Sequence, residues 1–190
     1  SEHLLAAIYF IVVLSGLFSW ILLYFLPKEY AATEYLITAC LLGPLFYTLS
    51  ETTAVGIAIV RKTSLSMIAS AGAMLTNVLG NYLLVPKYGA SGAAISTAIS
   101  FYIFFILRTE LSVFVWKDIV RKKSYIIVTV LLSTTTINTL FNEIEYYVFI
   151  WFLFLMFGIY FFKKSIVLLT KELLLLKQYC FSKINEHTDI

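Results

Sequence analysis

Apolar stretches of about 20 residues, set apart by short turns that carry most of the charge, recur from one end of this chain almost to the other. A helix needs about that length to cross a hydrocarbon core of about 30 Å. About six such stretches can be drawn, at 4–26, 34–60, 65–85, 90–107, 125–141 and 146–162. Only 13% of residues are charged, against about a quarter in soluble proteins, and 61% are hydrophobic with a mean hydropathy of +0.90. The solvent for most of the chain is therefore expected to be lipid, and the fold to be all-α, a polytopic transmembrane helical bundle. Connections as short as Arg61-Lys62-Thr63 and Pro86-Lys87-Tyr88-Gly89 imply antiparallel neighbours. The fifth stretch is the least apolar, because Ser133, Thr134, Thr135, Thr136 and Asn138 interrupt it, and its polar face is expected to look inward.

A formal net charge of +3 is too small to point to nucleic acid. Its distribution says more. If the stretches alternate in direction, Arg61, Lys62, Arg108, Lys117, Arg121, Lys122, Lys123 and Lys163 share one side with the basic residues of the tail, against Lys28 and Lys87 on the other. By the positive-inside rule the basic side is cytoplasmic. Both ends of the chain then face the cytoplasm, and the acidic turn with Glu143 and Glu145 faces outward. The segments 108–123 and 163–183 mix apolar residues with charges and are expected to lie on the membrane surface, with Trp116 at headgroup level. Two units follow: a helical bundle over 1–162 and a cytoplasmic amphipathic tail over 163–190. The opening Ser1-Glu2-His3 has no methionine and no signal-peptide pattern, so the chain is read as a fragment of a longer one.

Little in the sequence suggests covalent chemistry. There is no Ser, His and Asp set, no paired carboxylates on one helix face and no phosphate loop, so no catalytic residue, cofactor or enzyme activity is expected. Cys40 and Cys180 fall in different surroundings, and His3 and His187 stand at opposite ends without the partners that a metal needs. What stands out is polar material inside the apolar stretches, where an unpaired charge costs about 3 kcal/mol. Glu51 lies ten residues before Arg61, about 15 Å along a helix, which places it near the midplane. Gly43-Pro44 on the same helix can kink it. Two readings stand for Glu51: a carboxylate that takes up a proton or cation in a moving element, or a protonated or hydrogen-bonded structural group. Ala69, Ala73, Asn77 and Asn81 stack at four-residue intervals on one face, suited to close helix packing or to lining a sugar path. Gly89, Ala93 and Thr97 form one small-residue ridge, and Gly92, Ser96 and Ser100 another.

The run from Asn77 through Val85-Pro86-Lys87-Tyr88-Gly89 to Gly92-Ala93-Ala94 resembles a signature of polysaccharide flippases of the MOP (multidrug/oligosaccharidyl-lipid/polysaccharide) exporter superfamily. In that family a helix with two asparagines four apart runs into Pro-Lys-Tyr-Gly, and Gly-Ala-Ala opens the next helix. The resemblance covers roughly residues 5–115. It implies the second half of a two-lobed transporter in a bacterial inner membrane, carrying undecaprenyl-pyrophosphate-linked O-antigen or polysaccharide repeat units from the inner to the outer leaflet. Implied partners are the missing N-terminal half of the chain, membrane lipids, a polysaccharide polymerase and a chain-length regulator. The superfamily also holds small-molecule antiporters, and multispan polymerases or acyltransferases remain an enzyme alternative. Arg108 is the one basic residue near a stretch that could meet pyrophosphate, and it is placed at a cytoplasmic end.

Overall fold

The structure, a computed structural model, describes residues 2–30, 33–141 and 147–163, with Ser165 and Val167. Every regular element among them is helical: α1 Glu2–Phe18, α2 Leu22–Phe25, α3 Thr33–Thr53, α4 Val55–Ile59, α5 Ser64–Val115, α6 Lys122–Leu140 and α7 Tyr147–Phe161, with short 3-10 turns at Ser19–Ile21 and Lys28–Tyr30. Two runs are long and apolar enough to cross a membrane, Glu2–Phe25 with a mean hydropathy of 2.3 and Ser64–Val115 with 1.8. The apolar helix Val148–Phe161 is shorter. Almost all of the tail expected over 163–190 lies outside the described residues, as do Glu143, Glu145, Cys180 and His187.

Local chemistry explains where these helices stop. The first run ends at Leu26, which turns extended (φ −103°, ψ 143°) because Pro27 disfavours a helical residue before it. At the end of α4 the chain closes a Schellman turn, with Lys62 N donating to Ile57 O at 3.2 Å and Arg61 N to Ala58 O at 3.2 Å. Arg61 occupies the left-handed position of that turn (φ 55°), usually a glycine's place. Its charge compensates in part, since cations are favoured at helix C-termini.

The 52-residue α5 is not one rod. At Gly89 the backbone leaves helical geometry (φ 54°, ψ −127°) and reverses, so that a first limb, 64–88, folds back on a second, 90–115. The reversal is visible in the partners: Ser96 Oγ donates to Asn77 O at 3.0 Å, and Gly92 packs on the Leu84 carbonyl. Each limb is about 25 residues, or roughly 37 Å long.

The second limb runs parallel to α3. Thr53 bonds Thr109, Gly56 bonds Ser112 and Ser50 bonds Arg108, at sequence offsets of 56, 56 and 58. α6 runs antiparallel to both, with Thr139 Oγ1 donating to Tyr35 O at 3.0 Å and the Tyr102 and Thr129 hydroxyls 2.7 Å apart. Glu2 meets Lys123 at 3.6 Å, which puts the starts of α1 and α6 at the same end. Tyr9 donates to Phe154 O at 2.6 Å, joining α1 to α7. Consecutive passes thus alternate in direction, and Arg61, Lys62, Lys117, Arg121, Lys122 and Lys123 gather at one end. The core lies between α1, α3, the second limb, α6 and α7, around Val12, Phe46, Leu49, Phe105, Leu131 and Trp151. The first limb stays outside it: Ala69 is its one buried apolar residue, while Met67, Met74, Val78, Tyr82 and Leu83 are exposed.

One expectation changes here. Residues 108–115, expected on the membrane surface, continue the second limb as helix, because Thr109 and Ser112 are fully buried against α3. Only at Trp116 (φ −127°, ψ −90°) does that helix stop. α3 stays helical through Gly43-Pro44, and the interruption falls at Ala54 (φ −80°, ψ 2°). Gly56 N, whose helical acceptor would be Thr52 O, donates instead to Ser112 Oγ at 3.0 Å. Gly43 has a packing role, since a Cβ there would stand 3.1 Å from the Phe101 ring.

Candidate functional site

Glu51 projects from α3 toward the second limb, and Arg108 meets it. The guanidinium forks onto the carboxylate, Nη1 to Oε1 at 2.5 Å and Nη2 to Oε2 at 3.2 Å, while Nη1 also donates to Ser50 Oγ at 3.1 Å. A planar fork matched to a carboxylate is the strongest geometry available to such a pair. The partners differ in exposure: the Arg108 side chain is 15% exposed and that of Glu51 48%. Arg108 Nε is buried without a hydrogen-bond partner among the described residues. The cation also stands 5.9 Å from the centre of the Tyr47 ring and 5.4 Å from that of Phe104, two rings stacked on each other at 5.8 Å. Arg108 is therefore not at a helix end but about two turns inside one, level with Glu51.

Tyr47 and Phe104 also close one end of a groove of about 470 Å³ between α3 and the two limbs. Ser70, Ala73, Asn77, Thr97 and Ser100 line the rest of it with the apolar Met74, Val78 and Phe101. Asn77 and Asn81, expected on one face, bond each other, Asn81 Nδ2 to Asn77 Oδ1 at 2.9 Å. Asn77 Nδ2 reaches across the hairpin to Thr97 Oγ1 at 3.3 Å and Ser100 Oγ at 3.4 Å. These long bonds tie the limbs together and leave hydroxyls and the Asn77 amide along the groove wall, groups that both donate and accept. Asn77→Leu is expected to lower stability by about 1 kcal/mol, the usual worth of an interhelical hydrogen bond in lipid. A fall of a few degrees in the thermal midpoint in detergent checks it, and an unchanged midpoint counts against the ladder.

Pro86, Lys87, Tyr88, Gly89 and Gly92 lie at the far end of the hairpin, where they shape its turn and take no part in the groove. Cys40 is a free, exposed thiol. No group of three or more metal-ligating side chains occurs among the described residues.

At the basic end a second network stands outside the groove. Arg121 donates to both Glu110 oxygens, at 2.7 and 3.2 Å, and to Asp118, and Tyr125 donates to Glu110 at 2.7 Å. Hydrogen bonds to Glu110 and then to Asp118 push the Arg121 guanidinium above its already high ordinary value, so it stays cationic.

Comparison with protein-family models, curated proteins and solved structures gives no match to this chain.

Proposed function

We propose that this chain is part of a multi-pass membrane transporter that moves a pyrophosphate-linked oligosaccharide on a polyprenyl lipid from the inner to the outer leaflet of a bacterial inner membrane. The observation that carries the reading is the groove together with what stands behind it: hydroxyls and the Asn77 amide along its wall, and the partly buried Arg108 against the Tyr47 and Phe104 rings at one end. Its lipid-facing surroundings would make such a site costly to build without a polar cargo. A diphosphate offers Arg108 a charge that competes with Glu51, and sugar hydroxyls match the side chains of Asn77, Thr97 and Ser100. Alternating helix directions, basic residues at one end and the resemblance of residues 77–94 support a bundle of about six spans with both ends in the cytoplasm. In this reading the chain is the second half of a two-lobed flippase of the MOP type, and a first half completes the cavity across the exposed face of the first limb. No covalent step is assigned to it. The other transport reading, a multidrug or small-molecule antiporter of the same superfamily, would call for an unneutralised carboxylate where the substrate is a cation, whereas Arg108 is forked on Glu51.

The test is complementation. The full-length protein, expressed in a strain lacking its own flippase and confirmed in alkaline-washed membranes, is expected to restore surface polysaccharide. Membrane-inserted protein with no surface polymer, and with lipid-linked units still accumulating inside, would reject the reading.

A further inference from the structure

A second groove, sharing no residue with the first, lies along α6 and α7 beside Tyr9 of α1. We propose that it holds an acyl chain of an anionic glycerophospholipid, with Lys123 at its mouth binding the headgroup phosphate. The inference rests on the membrane reading above and not on the nature of the transported cargo.

The groove encloses about 590 Å³, within the range of small-ligand sites, and its walls are apolar: Ile126 and Val130 from α6, Phe154, Phe157 and Phe161 from α7. Among the described residues, Tyr9 is the one other wall residue with a polar side-chain atom, and its hydroxyl is already given to Phe154 O at 2.6 Å. A sugar or peptide would find nothing there to bond, whereas a hydrocarbon chain loses nothing by entering. The charge at one end identifies what the chain is attached to. Lys123, Ile126 and Val130 follow at three- and four-residue intervals on one helix face, so the apolar path starts at the ammonium and continues for about 10 Å into the layer. The Lys123 side chain is 65% exposed, and its carboxylate partner Glu2 is 71% exposed at 3.6 Å, a loose contact that a phosphate can replace. Arg121 nearby is committed to Glu110 and Asp118. Lys123 also belongs to the basic end of the bundle, where an anionic leaflet is the expected surface.

The experiment uses purified full-length protein in mild detergent, offered phosphatidylglycerol or phosphatidylcholine with the same acyl chains, and counts bound lipid by native mass spectrometry. The parent is expected to retain phosphatidylglycerol about fivefold better, and Lys123→Glu to abolish that preference. Val130→Trp, which fills the groove and keeps the charge, is expected to reduce retention of both lipids. Equal retention of the two lipids by the parent, or phosphatidylglycerol binding untouched by both substitutions, would overturn the assignment. Selective lipid binding by a protein that fails to restore surface polymer leaves the groove standing and removes the transport reading; full export without selective binding does the reverse.

Discussion

Glu51→Ala is expected to destabilise the protein more than Arg108→Ala, although each removes one half of the same ion pair. The asymmetry follows from burial and from which partner can lose its charge. Without Glu51, a guanidinium 15% exposed loses its counter-ion, a loss on the order of 3 kcal/mol for a charge left unpaired among apolar helices. Without Arg108, the Glu51 carboxyl, 48% exposed, can shed its charge by taking up a proton, as a guanidinium cannot, and the loss is expected at about 1 kcal/mol. Thermal midpoints of the two single variants and the double variant in mild detergent form a double-mutant cycle, in which the double is expected to be more stable than Glu51→Ala alone. Equal midpoints for the two single variants would show that burial does not govern the pair. Surface polymer supplies an independent readout. Arg108→Ala at parental membrane levels is expected to lower export about tenfold or more, whereas Arg108→Lys, which keeps the charge and loses the fork, should fall between. Export at the parental level by Arg108→Ala would reduce the pair to a structural tie.

Gly89 and Gly92 are expected to resist substitution for different reasons, and the difference can be measured. A Cβ on Gly92 would stand 2.5 Å from the Leu84 carbonyl oxygen and 3.0 Å from Val85 N. Both are backbone atoms that no rotamer change can move, so Gly92→Ala must spread the hairpin at a cost of about 1–3 kcal/mol. At Gly89 there is open space, nothing lying within 4 Å of the same position, and the obstacle is the backbone itself, at φ 54° and ψ −127°. Gly89→Ala is expected to cost about 1–3 kcal/mol through strain alone. Gly89→Asn should be no better, because asparagine tolerates the left-handed helical region and this ψ lies far from it. Fluorescence-detected size-exclusion thermostability ranks the three variants against the parent. An asparagine variant as stable as the parent would show that the turn can relax into another form.

Some of this was readable one residue at a time. Pro86 to Gly89 marked a reversal because those residue types have few other uses inside an apolar run, and the four-residue spacing of Asn77 and Asn81 put both amides on one face. Glu51 stood out because a carboxylate amid apolar residues needs a reason. Its partner did not, because Arg108 meets Glu51 only if α3 and the second limb lie side by side and parallel, with a whole helix between them in the chain. A sequence of spans fixes alternation of direction and says nothing of which passes touch. Ala54 carries no signal either. The helix breaks there because an amide is captured by Ser112, 56 residues away from Gly56, while Pro44, the residue type most apt to break a helix, sits in a run that continues past it. Over 108–115 the expected surface helix is overturned for a related reason: Ser112 and Thr109 look like the polar side of an amphipathic segment, and they are buried because α3 and α4 supply their partners.

The constant offset between α3 and the second limb has a mechanical consequence. Thr53 with Thr109, Gly56 with Ser112 and Glu51 with Arg108 are all matched at 56 or 57 positions, so a slip of even one residue, about 1.5 Å, would put every one of these bonds out of reach together. The two helices therefore travel as a single strut, loaded along its length and unable to ratchet. If the chain works as proposed, any displacement its cycle demands is expected where the intervening limb is attached, at the left-handed turn of Arg61 and at the reversal of Gly89.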